Sequence, residues 1–248
     1  MNLLPKNALI LALPLCFCGF AYSAEAPEIT DAMVAAGEAS YAINCASCHG
    51  VEGDGEGPGA KYLNPKPRNF QLAVYKLRST PNGELPTQHD LFNTITNGIE
   101  NSMMPAFASL SEDERWGLVE VIRRFGGIED EEGEAITVSA QPERTDESIA
   151  IGVAVYDRLD CASCHGPTGW GNGDSSLTLE NDAKERVWAA NLQSGVYKGG
   201  ADPVQLYQRI ANGLDGSPMP SYSEEASPEE IWHLVNYMTT LPETAPFK

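Results

Sequence analysis

The sequence predicts an all-α protein built as two tandem copies of one domain. The first observation is an internal repeat with a period of about 115 residues. Gly37 and Tyr41 recur as Gly152 and Tyr156, Asn69-Phe70 as Asn191-Leu192, Tyr75-Lys76 as Tyr197-Lys198, and Asn97-Gly98 as Asn212-Gly213. The second is that each copy closes on an apolar-periodic stretch behind a helix-start signal. The third is negative, since no alternating strand pattern of useful length occurs anywhere in the chain.

Each element follows in order. Residues 1–24 read as an export signal, with Lys6, an apolar stretch from Ala8 to about Ala21 and small residues at Ser23 and Ala24, so cleavage is expected near residue 24. The apolar run is short for a membrane span and contains Pro14. The first domain is expected over 25–126. It holds a helix ahead of Cys45, a Gly-rich loop from Gly50, a middle helix, a Met-Pro turn and a final helix. Ser111 and Glu114 make a capping box for that last helix, which carries Trp116, Leu118, Val119 and Ile122. Residues 127–148 include Glu129-Asp-Glu-Glu132 and few large apolar side chains, which predicts a charged linker. The second domain, 149–248, repeats the plan, with Ser227-Pro228 placing proline in the first turn of its last helix.

The chemistry lies in the pentapeptide Cys-Ala-Ser-Cys-His, present at Cys45–His49 and again at Cys161–His165. Cys-x-x-Cys-His is the attachment signature of a c-type haem. The two-residue spacing lets both sulfurs reach one porphyrin edge, and the histidine then swings under the ring as an iron ligand. A zinc site would not need a histidine directly after the second cysteine in both copies. A redox dithiol would want a βαβ pattern that is absent. Cys45, Cys48, Cys161 and Cys164 are the only cysteines after the N-terminal segment, so none is left over for a structural disulfide. Halves of about 100 residues need another source of core, and a buried haem supplies one.

A second iron ligand decides whether such a centre is open or closed. Met104 and Met219 stand 55 and 54 residues after His49 and His165, each followed by proline. The match in two copies favours ligation over simple core filling. Thioether ligation stabilises Fe(II) and raises the potential. Met103 lacks the following proline and aligns with Pro218, so Met104 is the candidate. His89 and His233 lack repeat support and are expected in surface or packing roles. Tyr41, Phe70, Phe107 and Trp116, with Tyr156, Leu192, Tyr222 and Trp232, are expected to wall the two pockets.

On these residues the chain resembles the class I c-type cytochromes, as a soluble dihaem member made of two fused domains. The resemblance implies two haem c groups, thioethers at Cys45, Cys48, Cys161 and Cys164, and iron ligation by His49 with Met104 and by His165 with Met219. It also implies a backbone carbonyl accepting from each proximal histidine. The region Pro65–Asn69 is the place for it in the first half; the second half has Trp188-Ala-Ala-Asn191 instead.

The function expected is electron transfer in the periplasm, as a shuttle or as the cytochrome subunit of a larger redox complex, rather than catalysis. A dihaem enzyme, peroxidase-like or thiosulfate-oxidising, is the alternative and would need one labile distal ligand. Net charge is −19, about −6 over 25–126, −7 over 127–148 and −7 over 149–248. Such a surface suits redox partners with a basic patch and disfavours nucleic acid. The halves differ by insertions that include Arg78–Glu84 and Glu180–Arg186, which are the places for partner-specific surface or for simple loop drift.

Overall fold

The computed structural model describes residues 26–243, so the expected export signal lies outside the described residues. Regular structure among them is helical, apart from one isolated antiparallel bridge between Glu180 and Arg186. Eight α-helices fall into two equivalent sets. The first is α1 (Asp31–Asn44), α2 (Ala46–His49), α3 (Gln88–Asn97) and α4 (Glu112–Gly126). The second is α5 (Asp146–Arg158), α6 (Cys161–His165), α7 (Pro203–Asn212) and α8 (Pro228–Met238). No described helix is long and apolar enough to cross a membrane.

The caps anticipated for the last helices are present, and a third lies at α3. Ser111 and Ser227 accept from the amides of Glu114 and Glu230, whose carboxylates return the bond. At α3, Thr87 and Asp90 do the same, an aspartate serving where a longer acid is usual.

In each set the first helix crosses the last. The approach is possible because Gly37 and Gly117 meet in the first set. A Cβ on either would fall inside the backbone of the other helix. Gly152 plays this part in the second set, against the carbonyl of His233. His233 thus stands where the first half has Gly117, and its Nδ1 lies 2.8 Å from Ser148 Oγ, a packing role. His89 also packs, edge-on to Trp116 at 5.1 Å. Beneath the crossings lie two cores, around Trp116, Leu118 and Val119 and around Trp232, Leu234 and Val235.

The acidic segment after α4 is irregular but fastened at both ends. Buried Arg123 donates to the carbonyls of Ile128, Glu129 and Glu131. Glu132 accepts from the Gln88 amide at 2.8 Å, which caps the N-terminus of α3 with negative charge. Farther on, the Trp232 indole donates to Ser139 O at 3.0 Å and Asn236 bonds Gln141, Pro142 and Ser148. The segment is therefore a strap across both halves.

The first insertion turns partly inward, though Pro81–Glu84 stay exposed. Arg78 and Thr80 are buried, and Arg78 forms a two-pronged pair with Asp215 of the other half, at 2.6 and 3.0 Å. Its guanidinium also donates to the carbonyl of Asn212. Glu100 accepts from the Gly199 amide at 2.9 Å across the same boundary. In the second insertion, the Asp182 carboxylate acts on Arg68 and Lys76 of the first half. The buried end of the first insertion thus faces the other half, and in the second Asp182 lies within range of the first half's charges.

Candidate functional site

The pentapeptides fold as single helical turns, α2 and α6. One turn brings both cysteines to the same side of the backbone. None of the four cysteines is in a disulfide. Burial pushes the Cys45 and Cys161 thiols up to about 11.

A helix this short leaves its carbonyls without partners, and the Gly-rich loop supplies them. Gly55, Gly57 and Gly59 amides donate to His49, Cys48 and Ser47 carbonyls, and Gly171 and Gly173 donate to His165 and Cys164. Glycine is required at Gly55, where φ is +79°. It is also required at Gly57, whose Cβ would lie 2.6 Å from the Ala46 and Ser47 carbonyl oxygens. Tyr41 and Tyr156 pin the loops, their hydroxyls donating to Gly50 O at 2.8 Å and Gly166 O at 2.7 Å.

Each motif histidine is held by one ring nitrogen. His49 Nδ1 lies 3.0 Å from the Arg68 carbonyl and His165 Nδ1 lies 2.9 Å from the Ala190 carbonyl. A carbonyl only accepts, so the proton sits on Nδ1 and the Nε2 lone pair is left for a metal. Burial pushes both imidazoles below their ordinary range, toward the neutral form that ligates. The His49 ring stacks on Phe70 at 4.4 Å. The first acceptor falls within the region expected for it; the second is supplied by the Trp188–Asn191 segment.

The methionine straps share a common set of hydrogen bonds. Ile99 and Leu214 amides donate to Met104 and Met219 carbonyls at 3.0 and 3.1 Å. Phe107 and Tyr222 amides donate back to Ile95 and Ile210 of the preceding helix. Ser102 and Ser217 hydroxyls close the tight turns at 2.7 and 2.6 Å. Met103 is 65% exposed, whereas Met104 is half-buried, as is Met219.

Tyr41, Phe70, Trp116, Tyr156, Leu192 and Trp232 are buried in their half's core, with Phe107 and Tyr222 partly buried beside them. Phe125, which the repeat did not single out, packs on Tyr41 and Phe70 at 5.0 and 6.5 Å. Among the described residues no three His, Cys, Asp or Glu side chains converge as metal ligands, which is what zinc would require. Two free thiols beside a histidine with an available Nε2, with an orphaned buried hydroxyl at Tyr75, fit a covalently attached macrocycle carrying polar edge groups.

A family model described as cytochrome C oxidase, cbb3-type, subunit III matches residues 32–122 and again 147–238. The chain belongs to this family. As a subunit III family member with two cytochrome c repeats, it carries covalently bound haem c in each. It is similar to the cbb3-type oxidase subunit FixP of Azorhizobium caulinodans, 26% identical over 215 residues, covering 87% of this chain and 62% of FixP. It is also 26% identical to CcoP of Rubrivivax gelatinosus over 214 residues, covering 86% of this chain and 56% of CcoP. The chain thus spans less than two thirds of these curated relatives. Among solved structures, a chain of the Kuenenia stuttgartiensis reducing HAO-like protein complex superposes with a TM-score of 0.81 and 37% identity. The match covers 88% of this family member and 99% of that chain.

Proposed function

We propose that this protein transfers single electrons outside the cytoplasm, as the dihaem cytochrome subunit of a larger redox complex. Cys45 with Cys48, and Cys161 with Cys164, are assigned to the thioether bonds. His49 and His165 are assigned as proximal ligands, and Met104 and Met219 as distal ones. Haem supplies a one-electron couple; the chain's own residues hold it, exclude water and set the ligand field. Histidine with methionine gives a closed centre of high potential, with no iron position left for substrate.

The observation that carries this reading is the matched pair of Met-Pro straps, held by equivalent hydrogen bonds in both halves. Membership in the subunit III family and the likeness to a chain of an HAO-like complex favour a subunit over a free shuttle. The acidic surface suits docking to a basic face on a partner.

The test is optical. The oxidised holoprotein should show the weak long-wavelength band of Met–Fe(III) at the intensity of two haems, and the reduced protein should not bind carbon monoxide. Met104→Ala and Met219→Ala should each remove about half of that band, while Met103→Ala should leave it intact. A one-haem band in the wild type, or ready carbon monoxide binding, would instead support a dihaem enzyme with a labile ligand.

A further inference from the structure

Three cations at the boundary between the halves lack an ion-pair partner among the described residues. Arg68, Lys76 and Lys198 are half-buried, and none makes a side-chain hydrogen bond or ion pair among the described residues. This is unexpected in a chain with 35 acidic and 16 basic residues. Neighbouring cations are satisfied: Arg78 is bound by Asp215, Asn82 and two carbonyls, and Arg209 by the carbonyls of Gly199 and Gly200.

The three are gathered together. Lys76 feels the charge of both Lys198 and Arg68, and burial together with that repulsion pulls it down to about 8. The Arg68 guanidinium reaches across to Gly216 of the second half, and the backbone carbonyl of Arg68 already holds His49. Tyr75 interacts with Arg68, is 6% exposed, and has a buried hydroxyl without a partner. Lys76 and Lys198 occupy equivalent places in the repeat, each directly after a buried tyrosine. Desolvated like charges repel, and an unpaired buried donor is costly, so the arrangement calls for anionic acceptors. Nearby acids act on them only at longer range: both oxygens of Asp215 accept from Arg78, and neither Asp215 nor Asp182 makes an ion pair with Arg68 or Lys76 among the described residues.

We propose that Arg68, Lys76, Lys198 and the Tyr75 hydroxyl form one carboxylate-binding junction that holds the propionate groups of both haems. The inference rests on each half carrying a haem, and it adds that the two haems share a counter-charge at the domain boundary. A shared cation field couples them, because the Fe(III) state carries the extra positive charge and is disfavoured by cations nearby. Removing one junction cation therefore favours oxidation at both centres.

The experiment uses the full holoprotein, with haem content measured first. Fewer than two haems per wild-type chain would sink the underlying reading and leave this proposal no object. With two present, Lys76→Met and Lys198→Met should each lower both midpoint potentials in spectroelectrochemical titration. Each should also shift the propionate carboxylate bands in the redox-difference infrared spectrum. Lys76→Arg and Lys198→Arg, which keep the charge, should stay near wild type, as should the exposed control Lys61→Met. Retention of the Met–Fe(III) band in every variant checks that the fold is intact. Unchanged potentials and carboxylate bands in both methionine variants would overturn the junction. So would a fall confined to the haem of the substituted half, since the cation would not then be shared.

Discussion

Tyr41 and Tyr156 are legible in the sequence as repeated aromatics ahead of the motif, and the sequence suggests only that they line a pocket. Their hydroxyls have a second task, holding the turn after each histidine through Gly50 and Gly166. The rings are 4% and 2% exposed, so no water replaces the bond when it is lost. Tyr41→Phe and Tyr156→Phe should each lower the stability of the holoprotein by about 1–3 kcal/mol, the penalty of an unsatisfied buried acceptor. Denaturant midpoints report the change, and a loss below about 0.5 kcal/mol would mean that the turn is held by its glycine amides alone. The acceptors for the two motif histidines show the opposite case. The carbonyls of Arg68 and Ala190 perform one job from dissimilar sequences, because a carbonyl is independent of its side chain.

Among the elements, the crossing of first and last helices carries the most information. Gly37 and Gly152 stand in helix interiors, where alanine is favoured by about 1 kcal/mol on propensity. The close approach reverses that preference, since a methyl at Gly152 would meet the His233 carbonyl and lie 2.7 Å from Tyr237 Cβ. Overpacking of this kind costs about 1–3 kcal/mol, so it outweighs propensity. Gly152→Ala should therefore lower the thermal midpoint of the holoprotein; a rise would mean that the helices slide apart freely. The repeat exposed these glycines, and the long helices were readable from caps and period. The short α2 and α6 were not, because one turn is too brief to show a period and gains its stability from the glycine amides that cap it.

At the scale of the whole molecule, the halves are joined by polar contacts that no local pattern announces. Arg78 lies 137 residues from Asp215, inside an insertion that looks like a solvent loop in sequence. Its side chain is fully buried, while that of Asp215 keeps 15% exposure. Arg78→Met should cost about 3 kcal/mol, at the low end for a broken buried pair because Asp215 retains some water. The accompanying change should be loss of cooperativity, with the two halves melting separately in calorimetry. A single transition at the wild-type midpoint would show that the strap of residues 127–145 is enough to couple them.

The amino-acid sequence by itself determined the helical class, the duplication, the two haem-attachment motifs and the in-register methionines. Each depends on spacing along the chain, and spacing survives in a one-dimensional record. The tertiary structure decided which carbonyl orients each histidine, what the Gly-rich runs do, and where the insertions and the acidic segment go. It also brought Arg68, Lys76 and Lys198 together with no acid in ion-pair contact among the described residues. These outcomes depend on burial and on groups meeting from distant positions. Whether a charge is solvated or stranded follows from what surrounds it, and only the folded chain supplies the surroundings.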